Sequence, residues 1–85
     1  MAYEIRWSKY AERFLAKLPE NIARRIAHKV DELKEVPFRF LERYEVKDFY
    51  KLRVGSHRLL VNVDLPGKVI SIRFIGHRRN IYKDK

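Results

Sequence analysis

The second half of the chain alternates. In Tyr50-Lys51-Leu52-Arg53-Val54 apolar residues take every second position. Side chains alternate across a strand, so this run predicts a strand with Tyr50, Leu52 and Val54 inward and Lys51 and Arg53 outward. A Gly55-Ser56 turn leads into a second run, His57 to Val63, with Leu59, Val61 and Val63 inward. After Pro66-Gly67 a third run, Lys68 to Gly76, predicts Ile70, Ile72 and Phe74 inward. Tight connections imply antiparallel neighbours.

The first half reads differently. Tyr3, Ile5 and Trp7 alternate with charges and predict a short half-buried strand, with Trp7 in the core. Ser8 is an N-cap residue, and Tyr10, Ala11, Phe14, Leu15 and Leu18 then fall at helical spacing up to Pro19. Ile22, Ala23, Ile26, Ala27, Val30 and Leu33 make the stripe of a second helix over residues 20–35, on which His28 is solvated. Val36-Pro37 ends it, with Phe38, Phe40 and Leu41 tucking under the helix ends and the pairing of 44–47 left open. The expected fold is α+β: a two-layer β-α-α-β-β-β arrangement, an antiparallel sheet with a helical hairpin on one face. The first strand is expected beside the last.

Length and composition narrow the function. The 85 residues suit one domain, 1–85, with a shallow core. There is no cysteine, which excludes disulfides, thiolate catalysis and cysteine zinc sites. His28, His57 and His77 are scattered, and no metal or other cofactor is implied. Without a long apolar run or signal peptide, a soluble cytoplasmic protein with no membrane partner is expected. Net charge is +9 and uneven: residues 1–43 carry ten basic against seven acidic groups, and residues 44–85 ten against four. An excess on the sheet half favours a polyanionic partner, nucleic acid first.

The candidate chemistry follows. Cutting an RNA phosphodiester needs a base for the 2′-hydroxyl, a donor to the leaving oxygen and positive charge at the phosphate. The sheet face expected to carry Lys51, Arg53 and Arg58, beside a tail holding Arg78 and Tyr82, has the cations for this. Like charge disfavours the ammonium form of a lysine among arginines, which makes Lys51 a candidate base. Arginine forks grip phosphate in pairs, and Tyr82 has the chemistry to pass a proton or stack on a base. Arg73, His77, Arg79 and Lys83 are candidate RNA or ribosome contacts. Charges alternating along a strand also suit a plain solvated face, and Arg58 also suits a cross-sheet ion pair with Asp64 or Glu45.

Taken together, the Pro-hinged helix pair, the run Phe49-Tyr50-Lys51-Leu52-Arg53-Val54-Gly55, His57-Arg58-Leu59-Leu60-Val61 and the closing Gly76-His77-Arg78-Arg79-Asn80-Ile81-Tyr82 resemble the RelE/ParE toxin superfamily, on its RelE (mRNA interferase) side. The resemblance implies a toxin that enters the ribosomal A site and cuts mRNA without metal through 2′-hydroxyl attack, and that a cognate antitoxin protein neutralises. It implies Lys51 as base or phosphate ligand, Arg53 as a charge where several members have lysine, and Arg58 and Arg78 as transition-state stabilisers. Tyr82 would stack or act as acid or base, and His77 sits where some relatives use histidine in proton transfer. Two other readings share the fold: a ParE-like toxin of DNA gyrase, and a non-catalytic RNA- or ribosome-binding module.

Overall fold

A computed structural model of the chain describes residues 2–45 and 48–77. In chain order the elements are β1 (Glu4–Trp7), α1 (Lys9–Ala16), α2 (Glu20–Glu32), α3 (Pro37–Phe40), β2 (Leu41–Arg43), β3 (Phe49–Val54), β4 (His57–Asp64) and β5 (Val69–His77). The expected α+β class is borne out. One five-stranded sheet has the order β1-β5-β4-β3-β2, with the helices against one face.

Besides the single turn of α3, two features lie beyond the expected order. The sheet is mixed, because β1 joins β5 in parallel, with Ile5 opposite Ile70 and Trp7 opposite Ile72. The first strand does lie beside the last, as expected; the chain leaves the helices running opposite to β1, and the three antiparallel steps from β2 to β5 make the last strand parallel to the first. The second feature is β2, three residues that pair antiparallel with β3 at the far edge. Its Glu42 and Arg43 are exposed, and charged side chains on a short strand blunt an open sheet edge.

The alternating runs deliver the core. Leu52, Leu59, Val61, Ile70 and Ile72 are buried against Ile26 and Val30 of α2, Leu33 at its C-terminal cap and Ala11 of α1. Truncating one such side chain costs about 2–5 kcal/mol, which shows how much of a small domain's stability sits in this layer.

Phe74 departs from the expected inward set. Leu60 pairs with Phe74 but Val61 pairs with Ile72, so β5 carries one extra residue, Arg73, at a β-bulge. The bulge shifts the alternation by one. Arg73 and Phe74 both face out, Phe74 with 45 % of its surface exposed, and Ile75 takes the core position instead. Two further aromatics are also outside the expected core: Tyr10, on the rim of α1, and Phe38, whose ring packs edge-on against Tyr50.

Ser8 secures the bulge. Its hydroxyl accepts from the Ala11 amide at 3.0 Å, capping α1, and donates to the Arg73 carbonyl at 2.7 Å. Its own amide donates to the Ile72 carbonyl at 2.9 Å. One hydroxyl thus serves an orphan helix donor and a carbonyl that the bulge takes out of the ladder. Ser8→Ala removes both bonds and is expected to cost about 1–2 kcal/mol. Thermal denaturation measures this as a melting temperature several degrees lower; an unchanged midpoint would show that Ser8 holds neither element.

Candidate nucleic-acid face

Residues directly opposite on antiparallel strands share a face. Register therefore lays out the surface turned away from the helices. Gly76, Arg58 and Arg53 form one cross-strand row, and Phe74, Leu60, Lys51 and Glu42 the next. Lys51, Arg53 and Arg58 come together on one face, as their alternation predicts.

They are not equally open. Arg53 is exposed and Lys51 half-buried, whereas Arg58 keeps only 5 % of its surface and does not stand on the open face as expected. It lies in the central strand, and burial reaches its head, with the guanidinium Nε and Nη1 both enclosed. Arg53 and Arg58 stand in direct register. Like charges so placed raise the local positive potential, which costs stability and draws an anion.

A carboxylate missed by the sequence reading belongs to this face. Glu42 Oε1 lies 3.9 Å from Lys51 Nζ and 4.0 Å from Arg53 Nη2. The signal for it was the three-residue Leu-Glu-Arg alternation of β2, too short to read as a strand against the neighbouring Pro37 helix turn. Among the described residues no group of three or more His, Asp, Glu or Cys gathers to hold a metal ion. Two open grooves, one lined by Tyr3, Trp7 and Val30 and one by Leu15, Leu18 and Ala23, involve the helices and not this face.

The remaining expected residues divide. Arg73 is exposed at the bulge. His77 pairs with His57, which in turn pairs with the buried Val54, so both histidines take the helix side of β5 and β4 and stand apart from the Arg53–Arg58 row. Arg78, Arg79, Tyr82 and Lys83 lie outside the described residues.

The two imidazoles meet edge to face, ring centres 5.6 Å apart, and Phe14 covers His57 from α1 at 6.4 Å. Burial pushes the His57 pKa below its ordinary 6.5, and the nearby His77 pushes the same way. The fold therefore prefers neutral His57. Above about pH 6.5 both folded and unfolded chains are neutral there and stability is full; as pH falls through that value the unfolded chain protonates first and stability drops. Melting temperature is expected to fall between pH 7.5 and 5.5, and less so in His57→Gln. Equal slopes for the two proteins would remove His57 from the pH response.

Comparison with known proteins identifies the family and the fold. The family model described as ParE toxin of type II toxin-antitoxin system, parDE, matches residues 5–82. The chain belongs to that family, within the RelE/ParE superfamily. The toxin–antitoxin complex RelBE2 from Mycobacterium tuberculosis contains a chain 28% identical, with a TM-score of 0.81 over 92% of this chain and 100% of that one. The archaeal RelE–RelB complex from Pyrococcus horikoshii OT3 gives 29% identity and 0.78, covering 92% and 97%. The isolated E. coli RelE toxin, at 22% identity and 0.78 over 98% and 94%, shares the fold. No curated protein sequence matches the chain.

Proposed function

We propose that this toxin is a ribosome-dependent endoribonuclease that cuts mRNA in the A site by metal-independent 2′-hydroxyl attack, acts in the cytoplasm and is neutralised by a cognate antitoxin. The observation that carries the reading is the pairing of Arg53 with Arg58 across β3 and β4, with Lys51 on the same face. A crowded phosphorane is an accumulation of negative charge, and preorganised cations aimed at it are the largest catalytic contribution a small fold can make. The antitoxin follows from the relatives, whose structures include RelB–RelE complexes.

The steps use this chain's own groups. The 2′-oxygen attacks the adjacent phosphorus and the bond to the 5′-oxygen breaks, leaving a 2′,3′-cyclic phosphate and a 5′-hydroxyl. Arg53 and Arg58 hold the non-bridging oxygens. Lys51, 3.9 Å from Glu42 on the same face, serves as a phosphate ligand, one of the two roles expected of it. Glu42, on the same face, accepts the 2′-hydroxyl proton. The proton for the leaving oxygen falls to the closing segment, where Tyr82 is the candidate and Arg78 adds charge.

Mapping message 5′ ends in a translation extract tests this. Wild-type protein should create new ends within codons. Arg58→Lys, which keeps the charge and loses the paired fork, should cut about 100-fold more slowly, and Glu42→Gln should lose a similar factor. Circular dichroism checks that both variants fold. Undiminished cutting by folded Arg58→Lys would remove this face from the chemistry.

The matching family is described by its ParE toxin, which favours one second reading: a poison of DNA gyrase. Plasmid supercoiling assays separate the two. Trapped gyrase–DNA breaks with intact messages would establish the second reading and overturn the first.

A further inference from the structure

Five rings form a continuous chain around one end of the sheet. Phe74 meets Tyr10 edge to face at 5.4 Å, Tyr10 stacks on Phe14 at 6.4 Å, Phe14 meets His57 at 6.4 Å and His57 meets His77 at 5.6 Å. The series wraps the stretch of β5 beyond Ile72, where β1 no longer pairs with it. Its outer end is wet: Tyr10 is 54 % and Phe74 45 % exposed. Large exposed rings on a small protein are an expense unless something stacks on them.

Their surroundings say what. Phe74 is the diagonal neighbour of Arg58, since Arg58 pairs with Gly76 two residues along β5. Diagonal positions on a sheet face lie about 7–8 Å apart, close to the spacing between a nucleotide's phosphate and its base. Arg73 flanks Phe74, and Lys9 and Arg13 flank Tyr10 on α1, all exposed. Gly76, which pairs with Arg58 in the arginine row, adds no side chain beside Phe74. An apolar ring bordered by cations fits a single-stranded nucleic acid, whose bases offer π-faces and whose backbone offers charge. A purely apolar protein contact would not call for the cations.

We infer that Phe74, braced by Tyr10, is a base-stacking platform that holds the nucleotide next to the phosphate gripped by Arg53 and Arg58. The inference takes the RNA-cutting reading as its premise and assigns the substrate side of that face: an unpaired base flanking the scissile bond. Phe74 reaches this position only because the bulge at Arg73 turns it out of the core. Tyr10 braces the platform through its T-shaped contact with Phe74.

The test is binding of a fluorescein-labelled hexanucleotide with 2′-O-methyl groups, which cannot be cut, followed by anisotropy on the full chain. Phe74→Ala should bind about tenfold more weakly, the usual worth of one stacked base, and Phe74→Trp should bind as well as wild type. Phe74→Leu keeps an apolar side chain but has no π-face and should behave like Phe74→Ala; melting curves confirm folding. Wild-type affinity in Phe74→Leu would mark the patch as an apolar protein contact and overturn the assignment, as would absence of oligonucleotide binding by the wild type. Cutting assays on the same variants keep the two readings apart. If messages are cut but Phe74→Ala and Phe74→Leu both bind and cut normally, the endonuclease stands and the platform falls. If the hexanucleotide binds through Phe74 while messages stay intact, the platform stands without the nuclease.

Discussion

One additional residue in β5 organises this molecule. With Arg73 inserted opposite a continuous β4, the strand changes which face its side chains take between Ile72 and Ile75. Below the bulge, Ile70 and Ile72 pack into the core; above it, Ile75 does so and Phe74 is turned to solvent. Bulges leave backbone groups without ladder partners and bend the strand, and here the Ser8 hydroxyl takes up the Arg73 carbonyl. The start of α1 is thereby fixed to the bend. That anchor sets where Tyr10 and Phe14 stand, and through Phe14 where His57 is covered.

The constraint separates the two faces of the sheet. The helices cover one face, and every inward aliphatic of β3, β4 and the lower half of β5 is spent on that contact. The other face has no second layer of helices among the described residues, so its side chains answer to charge and solvent. A central strand there carries Arg58 nearly enclosed, opposite Arg53, with Glu42 reaching in from the edge strand. Clustering like charge on a rigid sheet works against stability. A protein of this size has little stability to lose, so the cluster is better explained by an anionic partner than by the fold. The face also sits on strands, not loops, which holds its guanidinium groups in fixed positions, as the proposed reaction requires.

Much of this was legible in the sequence. The alternation of Tyr50 to Val54 and of His57 to Val63 fixed which residues turn inward, and the helical stripes with Ser8 and Pro19 located both long helices to within a few residues. Lys51, Arg53 and Arg58 share a face because period two and a two-residue turn leave no other register. What was hidden depends on contacts between distant segments. The run Ile70-Ser71-Ile72-Arg73-Phe74-Ile75 keeps an alternating look straight through the bulge; no glycine or proline marks it, and the Ser8 hydroxyl that bonds its carbonyl lies 65 residues earlier. For the same reason Phe74 read as core. Glu42 was hidden because three residues carry too little periodicity to show a strand, and the depth of Arg58 because burial of a central strand depends on how many strands flank it.

The aromatic series ties these two kinds of information together. Composition alone gives eleven aromatic residues' worth of packing material, and a shallow core would be expected to absorb all of it. It does not: Tyr10, Phe38 and Phe74 remain exposed. Phe74 is kept out by a specific backbone irregularity that disrupts the ladder, while Ile75 is buried in the vacated position. A simple alternating strand would have buried Phe74 and exposed Ile75 at no such cost. The bulge thus exchanges an aliphatic for an aromatic on the outer face, one step from Arg58, and that exchange gives the cationic row a neighbour able to hold a base.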